Sequence, residues 1–438
     1  MRKIFFLLLF TVSAFGFSQQ QPITIDTVAI TLNDAEDQFL KNNFALLAQK
    51  FNVDASKALI RQAGLFNNPN LYLENSVYNP YKTTGSKFFP TDNGKYFGDV
   101  HSMGETLIQY NWLFSVAGKR NKSVKVAKAQ SDVAQYQFDD LMRTLLFALR
   151  SDFYQLHYGL QSLKLFDEEI ASLNAIVTGF ENQYQKGNIS LREITRVRAL
   201  LFSMQNDRLA LVTELRATLS EFSGLLNNAK PVWYKPTVNE AEVATKYNAA
   251  AIGLSDLLTQ ALTNRPDLKA VQAQVAASDA NLKLQNATGV PDIMLQGVYD
   301  RNGSYIHNYN GAAIQVPIAI FNRNQGNRQA AKSLVDAANQ QLLQKQVSVQ
   351  NDVFASYQKM AETEKLNNSL SANFATDFTS LLKGAQANFE KKNLSLLEFV
   401  DMFESYKESM VQYNTIKTQR LTAFEELNFN VGKDVFKK

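Results

Sequence analysis

Residues 119–186 contain no proline and only two glycines, Gly159 and Gly179, and their apolar residues recur in alternating steps of four and three. Leu149, Phe153, Leu156, Leu160 and Leu163 form one run, and Phe166, Ile170, Leu173, Val177, Phe180 and Tyr184 form the next. A mean spacing of about 3.5 marks a helix packed along a left-handed supercoil seam. At ~1.5 Å rise per residue such a helix is on the order of 100 Å long. The chain is built around a rod that no ordinary globular domain needs.

The same programme is written twice. A helical pattern over about residues 32–66 ends at Asn67-Asn68-Pro69, and the period then changes to two. Strands are expected at about 69–78 and 103–113, followed by the long helix, a turn at Gly187-Asn188 and a return helix to about Phe222. Residues 224–252 read as a linker carrying Pro231, Trp233 and Pro236. A helix from Leu254 to Gly289 follows, then strands at about 291–300 and 311–318, a second proline-free long helix at 324–392, a turn at Asn393, a return helix to about Asn430 and a short tail. Leu32 and Leu254, Asp34 and Asp256, Leu40 and Leu262, and Pro69 and Pro291 all stand 222 apart. Beyond the strands, Asn188 and Asn393, Ser190 and Ser395, Leu191 and Leu396, and Glu193 and Glu398 stand 205 apart. The difference, 17 residues, falls between the strands, where the first hairpin loop is visibly the longer. One insertion reconciles the halves, which identifies a tandem duplication.

Arg2 and Lys3, the apolar run from Ile4 to Phe15 and the small residues Gly16 and Ser18 are the parts of a secretory signal peptide over residues 1–18. The run is too short for a membrane anchor. The extended segment 19–31 then leads into the first helix. With no cysteine there is neither a disulfide nor lipidation on cysteine, and no later apolar stretch reaches 18 residues. An exported chain of this kind enters a membrane only as a β-barrel. The net charge of +4 carries no nucleic-acid signal.

Four strands per chain cannot close a barrel, since the smallest transmembrane barrels have about eight. The sheet is therefore expected to be completed by further copies, two or three by arithmetic alone. The resulting fold class is mainly α, a long helical coiled-coil barrel with a membrane β-barrel part. Two alternatives are a soluble β-layer on a coiled coil and a barrel-anchored stalk or adhesin without transport. The aromatic strand ends Tyr72, Tyr78, Trp112 and Tyr299 favour a barrel, and the internal duplication argues against a simple stalk.

These features resemble the TolC family of outer-membrane efflux channels over essentially the whole mature chain. The matching stretches are Gly64-Leu-Phe-Asn-Asn-Pro-Asn-Leu71, Gly118-Lys-Arg120, Arg265-Pro-Asp-Leu268 and Val316-Pro-Ile-Ala-Ile-Phe-Asn-Arg-Asn-Gln-Gly326. The Phe321-Asn-Arg-Asn-Gln-Gly326 part looks most like the branch serving heavy-metal and cation efflux. The resemblance implies a homotrimer with a twelve-stranded outer-membrane barrel and a periplasmic helical tunnel. It further implies docking to a periplasmic adaptor and to an inner-membrane pump of the resistance-nodulation-division type.

No catalytic, cofactor or metal centre is expected. His101, His157 and His307 are scattered, and neither cysteine pairs nor a methionine relay exist. The tips, Gly187, Asn188, Ile189, Ser190 and Leu191 with Asn393, Leu394, Ser395 and Leu396, align with the adaptor-contacting tips of the resembled family, although Gly and Asn are also what tight helical turns require. Glu398 and Asp401, three apart on one helix face, stand where the family places its periplasmic aperture acids. Rings of carboxylate at a constriction favour cations. Their first-repeat counterparts are Glu193 and Arg196, so that a base replaces the acid, able to pair with it and hold the entrance shut. Leu394 stands where a gate-locking charge is expected. The alternative for all of these is a solvated helical face.

Overall fold

The computed structural model describes residues 26–78, 87, 88, 106–228, 232–247, 253–301, 306, 308–370, 374–391 and 393–436. The expected signal peptide and the loop residues His101 and His307 lie outside these.

The long helix α3 runs from Lys119 to Gln185, about 100 Å at ~1.5 Å per residue. Of its seam residues Leu149, Phe153, Leu156, Phe166, Leu173 and Val177 are buried, whereas Tyr184 near the tip is exposed. It returns as α4 (Leu191–Leu226). Upstream, one expected helix is two: α1 (Leu32–Asn42) and α2 (Phe44–Ala63) are separated by Asn43. The second repeat breaks at the position 222 residues on, between α6 (Leu254–Asn264) and α7 (Pro266–Thr288), at Arg265. The physical causes differ. Asn43 is extended, caps α2 by accepting from the Leu46 N–H and donates to the Leu225 carbonyl at 2.9 Å. Arg265 precedes a proline, which disfavours helical backbone for the residue before it.

Four antiparallel strands form one sheet, β2 (Asn70–Asn75), β3 (Thr106–Phe114), β5 (Ile293–Asp300) and β6 (Tyr309–Gln315), in the order β2-β3-β5-β6. The two hairpins meet at β3–β5, with Tyr110 opposite Gly297. Strands β2 and β6 are left as open edges. β6 stops at Gln315, short of the expected end at 318, because Pro317 has no N–H to donate to a ladder. Ile318 and Phe321 beyond it are 84% and 90% exposed.

The second long rod is also two helices, α8 (Gln325–Ser369) and α9 (Phe374–Glu390), rather than one over 324–392. The run Asn367-Asn368-Ser369 ends α8. The Ser369 hydroxyl donates to the Leu366 carbonyl at 2.7 Å, and Leu370 turns extended; such side-chain bonds compete with the helix ladder. The return helix α10 spans Leu396–Val431. Within the expected linker the structure has a strand, β4 (Val232–Pro236), and a short helix, α5 (Glu240–Lys246). β4 pairs in parallel with β1 (Asp26–Ile30).

Two apolar clusters result. The larger gathers Phe39, Leu149, Phe153, Phe222, Tyr234, Tyr247, Leu257, Val353 and Phe424 at the level of β1 and β4. The other, toward the hairpin tips, gathers Phe166, Leu173, Val197, Met204, Phe399 and Phe403.

Candidate functional site

The two hairpin tips are built alike. Gly187 lies at φ 73, and its N–H donates to the Tyr184 carbonyl at 2.9 Å while that of Asn188 donates to Gln183 at 3.0 Å. This pair of bonds closes a helix with a left-handed residue, where glycine carries no Cβ penalty. The Asn188 side chain also donates to the Gln183 Oε1 at 2.7 Å. At the second tip the Asn393 N–H donates to the Asn388 carbonyl at 2.9 Å.

Ser190 and Ser395 then open α4 and α10 with complete capping boxes. Glu193 Oε2 accepts from the Ser190 N–H and hydroxyl, both at 2.7 Å. Glu398 Oε2 accepts from the Ser395 N–H at 2.9 Å and hydroxyl at 2.6 Å. These bonds, led by the backbone N–H for Glu193 and by the hydroxyl for Glu398, hold both carboxyls below the usual carboxylate range. Both stay ionised at neutral pH, with one oxygen committed to the cap.

Glu193 and Arg196 form no ion pair with each other among the described residues. Glu193 is drawn back onto its own cap while Arg196, a turn further on, is exposed. Glu398 and Asp401 are exposed on α10. Leu394 and Leu396 instead pack into the tip cluster. Phe389 stacks on Phe180 at 5.6 Å and on Phe399 at 4.3 Å, which brings α3, α9 and α10 together just inside the tips. Among the described residues no group of three or more His, Cys, Asp or Glu is gathered where it could hold a metal ion. Nor is any helix among them long and apolar enough to cross a membrane.

Open-edged strands at one end of the rods and capped hairpin tips at the other are therefore features of one duplicated unit. The family model described as outer membrane efflux protein matches residues 36–228 and 257–433, one block in each repeat. The chain belongs to that family. It is 19% identical over 406 residues to the cobalt-zinc-cadmium resistance protein CzcC of Cupriavidus metallidurans, covering 92% of this chain and 90% of that one. Over 214 residues it is 27% identical to the pyoverdine export outer membrane protein OpmQ of Pseudomonas putida, covering 46% and 43%. The fold superposes on the crystal structure of the Campylobacter jejuni CmeC outer membrane channel with a TM-score of 0.73 at 14% identity, covering 92% of this chain and 86% of that one.

Two charged networks of this outer membrane efflux protein escaped the sequence reading. In the first, Arg150 on α3 donates to Glu36 at 2.6 Å and to Glu425 and Asp434 at 2.8 Å each. Glu425 is 1% exposed and also accepts from the Tyr247 hydroxyl. Burial works against the Arg150 charge, but the carboxylates outweigh it and push its pKa further up. In the second, Arg265 grips Asp267 at 3.0 and 2.6 Å and reaches Asp352 on α8 at 2.9 Å, while Lys345 holds Asp267 at 2.7 Å. Burial opposes the Asp267 charge, yet these donors hold its carboxyl far below the ordinary range. The stretch Arg265-Pro-Asp-Leu268 was the visible signal for this second network. No spacing pointed to the first.

Proposed function

We propose that this chain forms a passive, gated exit duct from periplasm to exterior, as a homotrimer whose copies supply twelve strands and a continuous wall of helices. A periplasmic adaptor meets the tips, and an inner-membrane pump of the resistance-nodulation-division type delivers the cargo and the energy. The chain itself does no enzymatic chemistry.

One observation carries the reading. Within the chain α3 of the first repeat packs along α7 of the second, and the corresponding contact, α8 with α2, is not made to any comparable extent among the described residues. The residues it would use are exposed: Phe44 69%, Phe51 70% and Leu59 59% on α2, with Leu343 55%, Val347 57% and Phe354 46% on α8. The first-repeat counterparts of the α8 residues, Phe138, Met142 and Leu149, lie in or against the core. A head-to-tail ring in which α8 of one copy covers α2 of the next makes the missing contact. It also joins the open edge β6 to the next β2, as a sheet in lipid requires. Three copies give twelve strands, an even number above the ~8-stranded minimum.

At the tips such a ring gathers Glu398 and Asp401 of every copy into an acidic aperture. Divalent cations are the cargo class favoured by the Phe321–Gly326 stretch and by the likeness to CzcC, and the choice among them lies with the pump. Reconstitution in planar bilayers tests the reading: stepwise, cation-selective conductance is expected, reduced in selectivity by Glu398→Ala with Asp401→Ala. Absence of conductance from a folded, inserted protein would overturn the duct. Unchanged selectivity in the double variant would overturn the aperture.

A further inference from the structure

Glu169 is 3% exposed on α3, within the helical shaft, and neither of its carboxyl oxygens has a hydrogen-bond partner among the described residues. It lies 16 residues before the end of α3, about 24 Å from the tip at ~1.5 Å per residue. An unpaired carboxylate so placed is costly. The cation that acts on it is Lys407 of α10, and Lys407 is engaged elsewhere, donating to Asp207 of α4 at 2.8 Å. The other groups near it are Glu168, which faces Lys164 at 3.7 Å, and the Tyr406 hydroxyl, which lies 3.5 Å from Thr379. Burial first of all, and Glu168 to a lesser degree, push the Glu169 carboxyl up to about 8 against the pull of Lys407.

A second observation falls at the same level. By the 205-residue offset the counterpart of Glu169 is Phe374, the first residue of α9, five residues past Ser369, where α8 ends. One long rod is interrupted where the other carries its unpaired acid.

We propose that Glu169, Lys407 and Asp207 form a proton-linked hinge in the shaft. With Glu169 protonated, Lys407 stays on Asp207 and binds α10 to α4. When the proton leaves for bulk water, the new carboxylate draws the Lys407 ammonium from Asp207. The contact between α10 and α4 is then exchanged for one between α10 and α3. The part of α10 running to the tip, with Glu398 and Asp401, shifts with it. This hinge is a property of packing within one copy and stands independently of the duct reading.

The absence of native cysteine allows a clean distance measurement. Spin labels go on Asn174→Cys of α3 and Ser405→Cys of α10, both exposed and both on the tip side of the hinge. Titration of the assembled protein from about pH 6 to about pH 10 is expected to move the main distance by roughly 2 Å, the scale of a helix shift. The midpoint is expected near 8. In the Glu169→Gln background the distance is expected to stay at its low-pH value throughout. In the Lys407→Gln background, with Glu169 intact, the distance change is expected to be lost, because no ammonium is left to exchange partners. A wild-type distance that ignores pH, or a shift that survives Glu169→Gln, would overturn the hinge. A distance change that survives Lys407→Gln would overturn the exchange of partners.

Discussion

Gly432 meets Arg265 backbone to backbone: a Cβ on Gly432 would stand 2.8 Å from the Arg265 Cα and 2.9 Å from its amide nitrogen. Gly432 also ends α10 at φ 78. Gly432→Ala therefore combines left-handed strain with overpacking. It is expected to cost roughly 2–4 kcal/mol, read as a lowered Tm, with the α6–α7 break losing protection in hydrogen exchange.

Removing Arg150 takes from the buried Glu425 its nearest cation and leaves it the Tyr247 and Asn428 hydrogen bonds, with Lys246 at 3.9 Å. Arg150→Met is expected to cost roughly 3–5 kcal/mol, the scale for breaking one side of a buried ion pair. Adding Glu425→Gln should recover part of the loss, since the remaining group no longer carries a charge. Denaturant unfolding of the single and double variants measures both.

Asp152 is pushed up to about 7, by burial first and by Glu221 second. Its folded pKa lies above its unfolded value of 3.8, so the folded chain holds the extra proton. Stability is lost as pH rises between about 4 and about 7. Asp152→Asn should leave stability unchanged near pH 4 and raise it near pH 8 by roughly 1–2 kcal/mol, a figure discounted for the group's partial exposure. Thermal melts at the two pH values check this.

Phe51→Asp on α2 or Phe354→Asp on α8 puts a charge on the face assigned to the neighbouring copy. Helix content is expected to be retained while the mass in detergent falls from that of the ring toward that of one chain. A ring of unchanged mass would count against the α8–α2 contact.

Ser395→Ala removes the hydroxyl that Glu398 uses and leaves its own helix uncapped. The cost is ~1 kcal/mol, about a fivefold change in local opening. It should appear as faster amide exchange in the first turn of α10, with the first turn of α4 unaffected.

The rods, the duplication and the turn positions were legible because each rests on local periodicity or on subtraction of residue numbers. The capping boxes were not read from the sequence, although Ser190 and Glu193, and Ser395 and Glu398, stand three residues apart there, because these residues were assigned to tips and aperture. The break at Asn43 was not legible, because its cause is a distant carbonyl, that of Leu225. The end of α8 was hidden in an otherwise helical polar run, and Pro317 was visible but outweighed by the alternation around it. Arg150, Glu36, Glu425 and Asp434 read as ordinary solvated charges until three segments converge on them. Glu169 sits among Asp167 and Glu168, and only packing against α10 separates it from them.

The parallel pairing of β1 with β4 also has a temporal side. Asp26 pairs with Val232, about two hundred residues later in the chain. The first strand to be made must wait, unpaired, until half the polypeptide has been delivered, and contacts of such long sequence separation form slowly. When that strand docks it ties the beginning of the first repeat to the start of the second. Completion of the larger core thus includes a contact that spans the whole first repeat, one that no shorter piece of the chain can make.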